Sequence, residues 1–477
     1  MTGHPLIIQG GMGIAVSDWR LARAVSSEGQ LGVVSGTAID AVLVRRLQLG
    51  DPGGEIRRAM GAFPIPGVVD DILDRYFVEG GKAPDQRFKQ KPMGKLEPSR
   101  HLEDLLVVSN FVEVWLGKEG HSNPVGINYL EKVQAPALPS LYGAMLAGVD
   151  YVLIGAGIPR AIPGVLDRLA EGGPVQMRVD MKNATSDDDP YFRFDPTQFG
   201  RGVLPSLERP HFLAIVSSHV LATMLLRRVS SRVDGFIVEL PSAGGHTAPP
   251  RRKAGLDERG QPIYGEKDVP DLAAFRELGR PFWMAGMYAQ PGQMKHALSE
   301  GAAGIQVGTA FAYCEESGLL PAVKARVLEE SRQKRAQIFA DPIGSPTGFP
   351  INVVELDGTL TAEEVYADRM RICDLGYLRT AYVDEKGKKG WRCPAEPPDD
   401  FVRKGGDAAD TVGRKCLCNS LMANVGLAQI KRDGSVEPML LTSGEDVAGV
   451  ARFLAEGASS YRARDVIDYL LDGIATG

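Results

Sequence analysis

Near its start the chain contains Leu6-Ile7-Ile8-Gln9-Gly10-Gly11-Met12-Gly13, a short apolar run followed by a glycine-rich turn. A helical pattern comes next and begins near Ser17, whose side chain can cap the helix. Runs that are apolar without alternation are typical of parallel strands, because both faces of such strands are buried. This stretch therefore predicts one strand–turn–helix unit of a parallel sheet.

The same unit recurs along the first 340 residues. The seven further apolar runs are Leu31–Ser35, Pro124–Tyr129, Tyr151–Ile154, Phe212–Val216, Gly235–Glu239, Pro281–Ala285 and Gly304–Val307. Eight strand–helix units predict an α/β protein with a closed (β/α)8 TIM barrel, and a doubly wound sheet is the main alternative.

Two parts of the chain exceed a minimal barrel. Residues 50–110 are helical and charged, which indicates a helical segment inserted into a barrel of residues 1–340. Val175 to Met181 is an extra strand candidate. Residues 341–477 mix strand and helix signals and end in an amphipathic helix near Asp465 to Leu471, so we expect an additional C-terminal α+β region of unknown role.

Composition excludes several classes of protein. The 477 residues carry 54 basic and 60 acidic side chains, a net charge of −6, which argues against nucleic acid as a partner. No apolar stretch is long enough to span a membrane, and the start lacks the basic segment of a secretory signal. Five cysteines, an odd number, fit a reducing cytoplasm, which we expect as the location.

Glycines end five of the eight apolar runs, where a barrel binds its ligands. Loops after strands seven and eight are the usual phosphate-binding place in this fold. The residues that follow those two strands are Gly286, Met287, Gly308 and Thr309, and we expect them to hold a phosphate. Ordinary turn glycines are the alternative. The chain has no Walker motif, and Gly10-Gly11-Met12-Gly13 does not match a dinucleotide-binding fingerprint.

His246 follows two glycines directly after the sixth run and is the candidate acid or base. An imidazole titrates near neutral pH and suits proton transfer beside a ligand. The long loop from Thr247 to Pro270 is a candidate lid.

Three motifs resemble the nitronate monooxygenase family, which also includes flavin-dependent enoyl-ACP reductases and NADH:quinone reductases. They are Ile7–Gly13, Ser242-Ala243-Gly244-Gly245-His246, and Gly304–Phe311 followed by Glu315-Glu316-Ser317. The match covers roughly residues 5–325. Family members often carry glutamate where this chain has Ser242, and glycine where it has Met287.

The resemblance implies a TIM barrel that binds FMN without a covalent bond and uses His246 as catalytic base or acid. Carried over by position, Gly11, Met12 and Gly13 would line the isoalloxazine ring, and Asn128 and Ser217 would bond its polar edge. The remaining cofactor-binding residues would be Gly245, Gly286, Met287, Gly308 and Thr309.

Four of the five cysteines fall in the C-terminal region: Cys373, Cys393, Cys416 and Cys418. Four thiolates can hold zinc or an iron–sulfur cluster, but this spacing is not a standard one. We expect reduced structural cysteines and no metal.

The leading hypothesis is an FMN-dependent nitronate monooxygenase that oxidises alkyl nitronates with O2 to a carbonyl compound and nitrite. The alternative is a flavin reductase that uses NAD(P)H on an enoyl thioester or a quinone. A third reading is a flavin-binding or assembly protein without turnover, whose C-terminal part docks a partner. The expected partners are a small-molecule substrate and O2 or NAD(P)H, and a homodimer is left open.

Overall fold

The computed structural model describes residues 3–185, 188, 190–229, 231–252 and 255–474. Its strands are β1 (Ile7–Gln9), β2 (Leu31–Ser35), β3 (Val125–Leu130), β4 (Tyr151–Gly155), β5 (Val175–Arg178), β6 (Met181–Lys182), β7 (Tyr191–Phe194), β8 (His211–Val216), β9 (Gly235–Glu239), β10 (Gly245–His246), β11 (Phe282–Ala285), β12 (Gly304–Val307), β13 (Ile338–Asp341), β14 (Ile351–Val354), β15 (Thr380–Val383) and β16 (Lys389–Arg392).

The helices surround and follow these strands. They are α1 (Trp19–Ser27), α2 (Ile39–Gln48), α3 (Glu55–Gly61), α4 (Val69–Tyr76), α5 (Arg100–Lys118), α6 (Ala137–Leu146), α7 (Ile162–Ala170), α8 (Pro196–Phe199), α9 (His219–Arg228), α10 (Leu272–Glu277), α11 (Pro291–Ser299), α12 (Thr309–Ala312), α13 (Pro321–Arg332), α14 (Glu363–Asp368), α15 (Pro398–Arg403), α16 (Leu417–Ala423) and α17 (Ala463–Leu471). Short 3-10 helices cover Glu266–Asp268, Ala408–Thr411 and Glu445–Phe453.

Eight parallel strands close into a barrel in the order β1-β12-β11-β9-β8-β4-β3-β2. These are the eight apolar runs of the sequence, so the predicted (β/α)8 TIM barrel is confirmed and the doubly wound sheet is excluded. The extra strand expected from Val175 to Met181 divides into β5, which pairs with β7, and β6, which pairs with β15.

The barrel strands are apolar on both faces because each face is buried against a different layer. Inside the barrel, Ile8, Leu153 and Trp283 belong to one fully buried cluster. Their chain neighbours, among them Ile7 and Val152, belong to the larger core under the helices. This double burial explains why the runs lack the alternation of a half-exposed sheet.

The segment predicted as an insertion contains α3, α4 and the first half of α5. The 19-residue α5 packs against α1 and α6, so it serves as a helix of the barrel's outer layer. Among the described residues, no helix is long and apolar enough to cross a lipid bilayer.

The C-terminal region is tied to the barrel by hydrogen-bonded strands. β14 pairs with β13 on one side and, on the other, with the two-residue β10, which follows barrel strand β9. β13 spans the boundary predicted at residue 340, and α17, which the sequence predicted, packs against α1 and α11. The division into a barrel and an extension stays a prediction.

Candidate functional site

A cavity of about 200 Å3, open to solvent, lies at the carboxyl ends of the barrel strands. Its walls come from all eight barrel strands or their loops and from the C-terminal region. The lining residues are Gly10, Gly11, Met12, Gly13, Ser35, Thr37, Asn128, Leu130, Gly155, Ala156, Ile215, Glu239, Ser242, Ala243, Gly244, Gly245, His246, Ala285, Gly286, Met287, Tyr288, Ala289, Gln306, Val307, Gly308, Thr309, Ala312, Ile351, Leu421, Thr442, Ser443, Gly444 and Asp446.

The structure brings together every candidate site residue but one. Ser217 does not line the cavity, and its backbone carbonyl accepts a 2.7 Å hydrogen bond from Arg251 of the long loop. The position at the end of β8 that does reach the cavity is Ile215, an apolar side chain.

The turn after β1 is held by Ser17. Its hydroxyl oxygen accepts hydrogen bonds from the Met12 amide at 3.0 Å and from the Gln9 side chain at 2.9 Å. The expectation that Ser17 caps the following helix is therefore wrong. Asp18 is the cap, since its carboxylate accepts the Arg20 amide, and Ser17 is occupied by the turn.

Glycine at position 11 is required by close packing. A Cβ there would lie 2.6 Å from the Cβ of Asn128, which rises from β3 directly behind the turn. The Asn128 amide donates to the carbonyl of Leu153 at 3.3 Å, so this side chain is fixed from the other side. The turn and Asn128 together form one wall of the cavity.

Gln306, on β12, is a lining residue that sequence reasoning did not select. Its Oε1 is buried and has no hydrogen-bond partner within the described protein. A buried acceptor without a partner costs about 1–3 kcal/mol, so such an atom next to a cavity indicates a ligand donor. The sequence feature that could have identified Gln306 is its position near the carboxyl end of a predicted barrel strand.

The expected phosphate end of the cavity is closed by the C-terminal region. The Thr309 hydroxyl oxygen accepts the backbone N–H of Gly444 at 3.0 Å. Ser443 and Gly444 line the same end of the cavity, and neither was predicted as a site residue. Met287 adopts the left-handed conformation, with φ of 59°, a backbone geometry that favours glycine.

His246 is part-buried in the cavity wall. Its Nε2 lies 2.6 Å from the hydroxyl of Ser345, a fully buried residue of the C-terminal region. Burial lowers the pKa of His246 to about 4, so the imidazole is neutral at pH 7. A neutral imidazole can accept a proton.

Glu239 ends β9 and is a second titratable group that the sequence analysis did not select. Burial raises its pKa to about 8, so the carboxyl group is protonated at neutral pH and can donate a hydrogen bond. Asp446, from the C-terminal region, also lines the cavity but is paired with Arg452 at 2.8 Å. No lysine or arginine in the described part of the chain lines this cavity.

The four C-terminal cysteines gather around one small separate cavity, together with Glu396 and Asn419. All four are free thiols in an apolar cluster that includes Ile14 and Ala38. No group of three or more histidine, cysteine, aspartate or glutamate side chains among the residues described is arranged to hold a metal ion. Reduced structural cysteines stay our prediction.

Comparison with known proteins gives one family match and several distant structural likenesses. No curated protein matches the chain in a sequence search. FabK from Thermotoga maritima is 17% identical, with 98% of this chain and 92% of that chain covered and a TM-score of 0.47. Nitroalkane oxidase from Streptomyces ansochromogenes is 15% identical, with 99% and 96% covered and a TM-score of 0.46. The enoyl reductase domain of MlnA from Bacillus amyloliquefaciens is 12% identical, with 98% and 92% covered and a TM-score of 0.47.

These scores are too low to carry an inference about activity. The family model of nitronate monooxygenase matches residues 203–338. That range includes His246, its two preceding glycines, and the loops after β11 and β12. Residues 203–338 are therefore similar to the nitronate monooxygenase family, as the motifs indicated, and the chain is an oxidoreductase enzyme.

Proposed function

We propose that the chain is an FMN-dependent nitronate monooxygenase, which oxidises alkyl nitronates with O2 to a carbonyl compound and nitrite. The observation that carries the proposal is one cavity that joins a glycine-lined wall to a single neutral imidazole. The flavin would supply the oxidation chemistry, and the protein would bind, orient and move a proton.

The cavity wall fits a flat, phosphorylated cofactor. Asn128 packs where a Cβ of Gly11 would stand, so the turn presents backbone to the cavity, and a planar ring can lie against that backbone. Gln306 Oε1 is a buried acceptor without a donor, and a flavin ring carries an N–H group that can donate to it. Because no basic side chain lines the cavity, we assign the phosphate to backbone amides and hydroxyls around Gly286, Gly308 and Thr309.

His246 would act as a base toward neutral nitroalkanes. Removal of the α-proton turns a nitroalkane into its nitronate, and the neutral imidazole has a free lone pair for that proton. A nitronate supplied as such has already lost the proton. The two substrates therefore separate proton removal from oxidation.

Glu239 favours the second candidate, a reductase for an enoyl thioester or a quinone. Reduction of a double bond ends in proton donation, and a carboxyl group that stays protonated at pH 7 can provide that proton. The same carboxyl would also suit a hydrogen bond to a nitro group, so it does not displace the leading proposal.

The test starts with the absorption spectrum and the extracted cofactor of the purified full-length protein. We expect flavin absorption and FMN by mass spectrometry. Nitrite release is then measured with 2-nitropropane and with its nitronate in air. Fast nitrite release with slow anaerobic bleaching by NADH supports the monooxygenase.

Rapid bleaching by NADH without nitrite release would instead establish the reductase. A colourless protein that does not take up added FMN would refute both functions. His246→Gln provides the matched control for turnover, because it should lose proton removal and keep the bound flavin.

A further inference from the structure

The segment from Asp341 to Phe349 places a serine hydroxyl against the imidazole of His246. Ser345 is fully buried, and its Oγ lies 2.6 Å from Nε2 of His246. A second hydroxyl follows, since Ser345 Oγ lies 2.8 Å from Thr347 Oγ1. Three polar groups from two distant parts of the chain thus form one continuous hydrogen-bonded row.

This segment is anchored by two basic side chains of the loop that precedes α16. Lys415 pairs with the buried carboxylate of Asp341 at 2.5 Å. Arg414 donates to the carbonyl of Ile343 at 2.7 Å and to that of Ser345 at 2.6 Å. The backbone that carries the serine hydroxyl is therefore held on both sides.

The histidine side of the contact is fixed by β14. His246 pairs with Ile351, and the amide of Thr247 donates to the Pro350 carbonyl at 3.0 Å. The side chain of Asn352 donates to the carbonyls of Pro241 and Ala243 at 3.0 and 2.7 Å. Imidazole and hydroxyl are consequently carried by two segments bonded to each other.

The hydrogen bonds restrict the direction of the hydroxyl row. Ser345 Oγ accepts the backbone N–H of Thr347 at 3.2 Å, which leaves it one acceptor site and one proton. It must therefore donate to one of its remaining two contacts, Thr347 Oγ1 and His246 Nε2, and accept from the other. Thr347 Oγ1 accepts the N–H of Phe349 at 3.2 Å and still has one acceptor site for the serine proton.

We propose that Ser345 and Thr347 are positioning residues that fix the tautomer of His246. Both directions of the row satisfy these contacts, but only the one in which Ser345 donates to Thr347 and accepts from Nε2–H leaves Nδ1 the lone pair that a base needs for the substrate proton. In that step the α C–H bond of the nitroalkane breaks, its electron pair stays on the resulting nitronate, and the proton forms the Nδ1–H bond. The assignment rests on the proposed function, and it places part of the proton-transfer apparatus in the C-terminal region.

The experiment compares Ser345→Ala and Thr347→Val with the wild type, each as full-length protein. Ser345→Ala removes the acceptor for Nε2–H, and Thr347→Val leaves the serine proton free to turn toward Nε2. Ser345→Thr keeps the hydroxyl and should restore the wild-type behaviour. Ser420→Ala is the matched control, because this buried hydroxyl donates to the Cys416 carbonyl in the same region.

The first measurement is nitrogen NMR of the imidazole in protein labelled with 15N-histidine. The His246 signal is assigned by its loss in His246→Gln. We expect the protonated nitrogen to be Nε2 in the wild type and in Ser420→Ala. In Ser345→Ala and Thr347→Val we expect the population with protonated Nδ1 to rise.

The second measurement compares kcat/KM for 2-nitropropane with that for its nitronate. General bases contribute about 10²–10⁴-fold, so loss of their orientation should lower the nitroalkane value on the order of tenfold or more. The nitronate value should change by less than about twofold, since no proton is removed from it. Equal losses on both substrates, or an unchanged imidazole spectrum, would overturn the assignment. If the wild type oxidises neither substrate, the proposed function fails, and the NMR comparison alone decides the tautomer.

Discussion

Replacement of Gly11 by alanine tests whether the cavity wall depends on a missing side chain. The new Cβ would lie 2.6 Å from Asn128 Cβ and 3.0 Å from its Oδ1. Carbon atoms in contact settle at about 3.5–4.0 Å, so one partner must move by about 1 Å. Neither Asn128 nor the turn moves freely, because Asn128 is only 8% exposed and the Ser17 hydroxyl accepts a hydrogen bond from the Met12 amide of the turn. Overpacking of this kind costs about 1–3 kcal/mol of unfolding free energy.

The variant should also lose FMN affinity, because the displaced wall is the one assigned to the flavin ring. A misfit of about 1.4 kcal/mol corresponds to a tenfold weaker Kd. Urea unfolding gives the stability, and fluorescence titration of cofactor-free protein with FMN gives the Kd. Gly292→Ala is the matched control, since a Cβ in this helix meets nothing within 4 Å. Stability and affinity indistinguishable from that control would refute the packing argument.

Three further predictions concern single side chains. His246→Gln should lower nitroalkane oxidation by about 10²–10⁴-fold and nitronate oxidation far less, measured as nitrite release, whereas equal losses would contradict a base role. Asn352→Ala leaves the carbonyls of Pro241 and Ala243 unpaired and should cost about 1–3 kcal/mol in urea unfolding, and an unchanged midpoint would show that this clamp is unimportant. Glu239 has a folded pKa of about 8, above that of the unfolded chain, so the folded state retains its proton while the unfolded state loses it. The free energy of unfolding should therefore fall as pH rises from about 4.5 to 8, by at most about 1.4 kcal/mol per pH unit. Glu239→Gln should remove this contribution to the slope. An identical slope in the variant would show that the carboxyl group titrates normally.

The barrel could be predicted because its signals are local. Each strand is a continuous apolar run, such as Leu31–Ser35, and double burial makes that pattern readable without knowing its neighbours. The candidate site followed in large part, since fold rules place ligands at the carboxyl ends of strands. Ser217 was included by position alone, and the structure directs Ile215 rather than that serine toward the cavity.

The residues that were missed depend on contacts between distant parts of the chain. Gly244 and Gly444 show the difficulty, since a Cβ on the first would lie 2.8 Å from the backbone nitrogen of the second. Neither glycine can be understood from its own neighbours in sequence. The same holds for Ser345, which lies 99 residues from the imidazole that it contacts. Glu239 was visible at a strand end, but its protonated state follows only from burial.

The contacts at the cavity argue that the C-terminal region completes the site. It supplies the hydroxyl on His246, the amide that bonds Thr309, and the paired carboxylate of Asp446. Without these groups the barrel would retain its glycine wall, but the imidazole would have no partner to select its tautomer. Under the proposed function, the flat cofactor would bind to features that can be predicted from the barrel's own sequence. Under the proposed function, control of the proton would require the second region, and contacts between distant segments are harder to infer from a sequence than strands are.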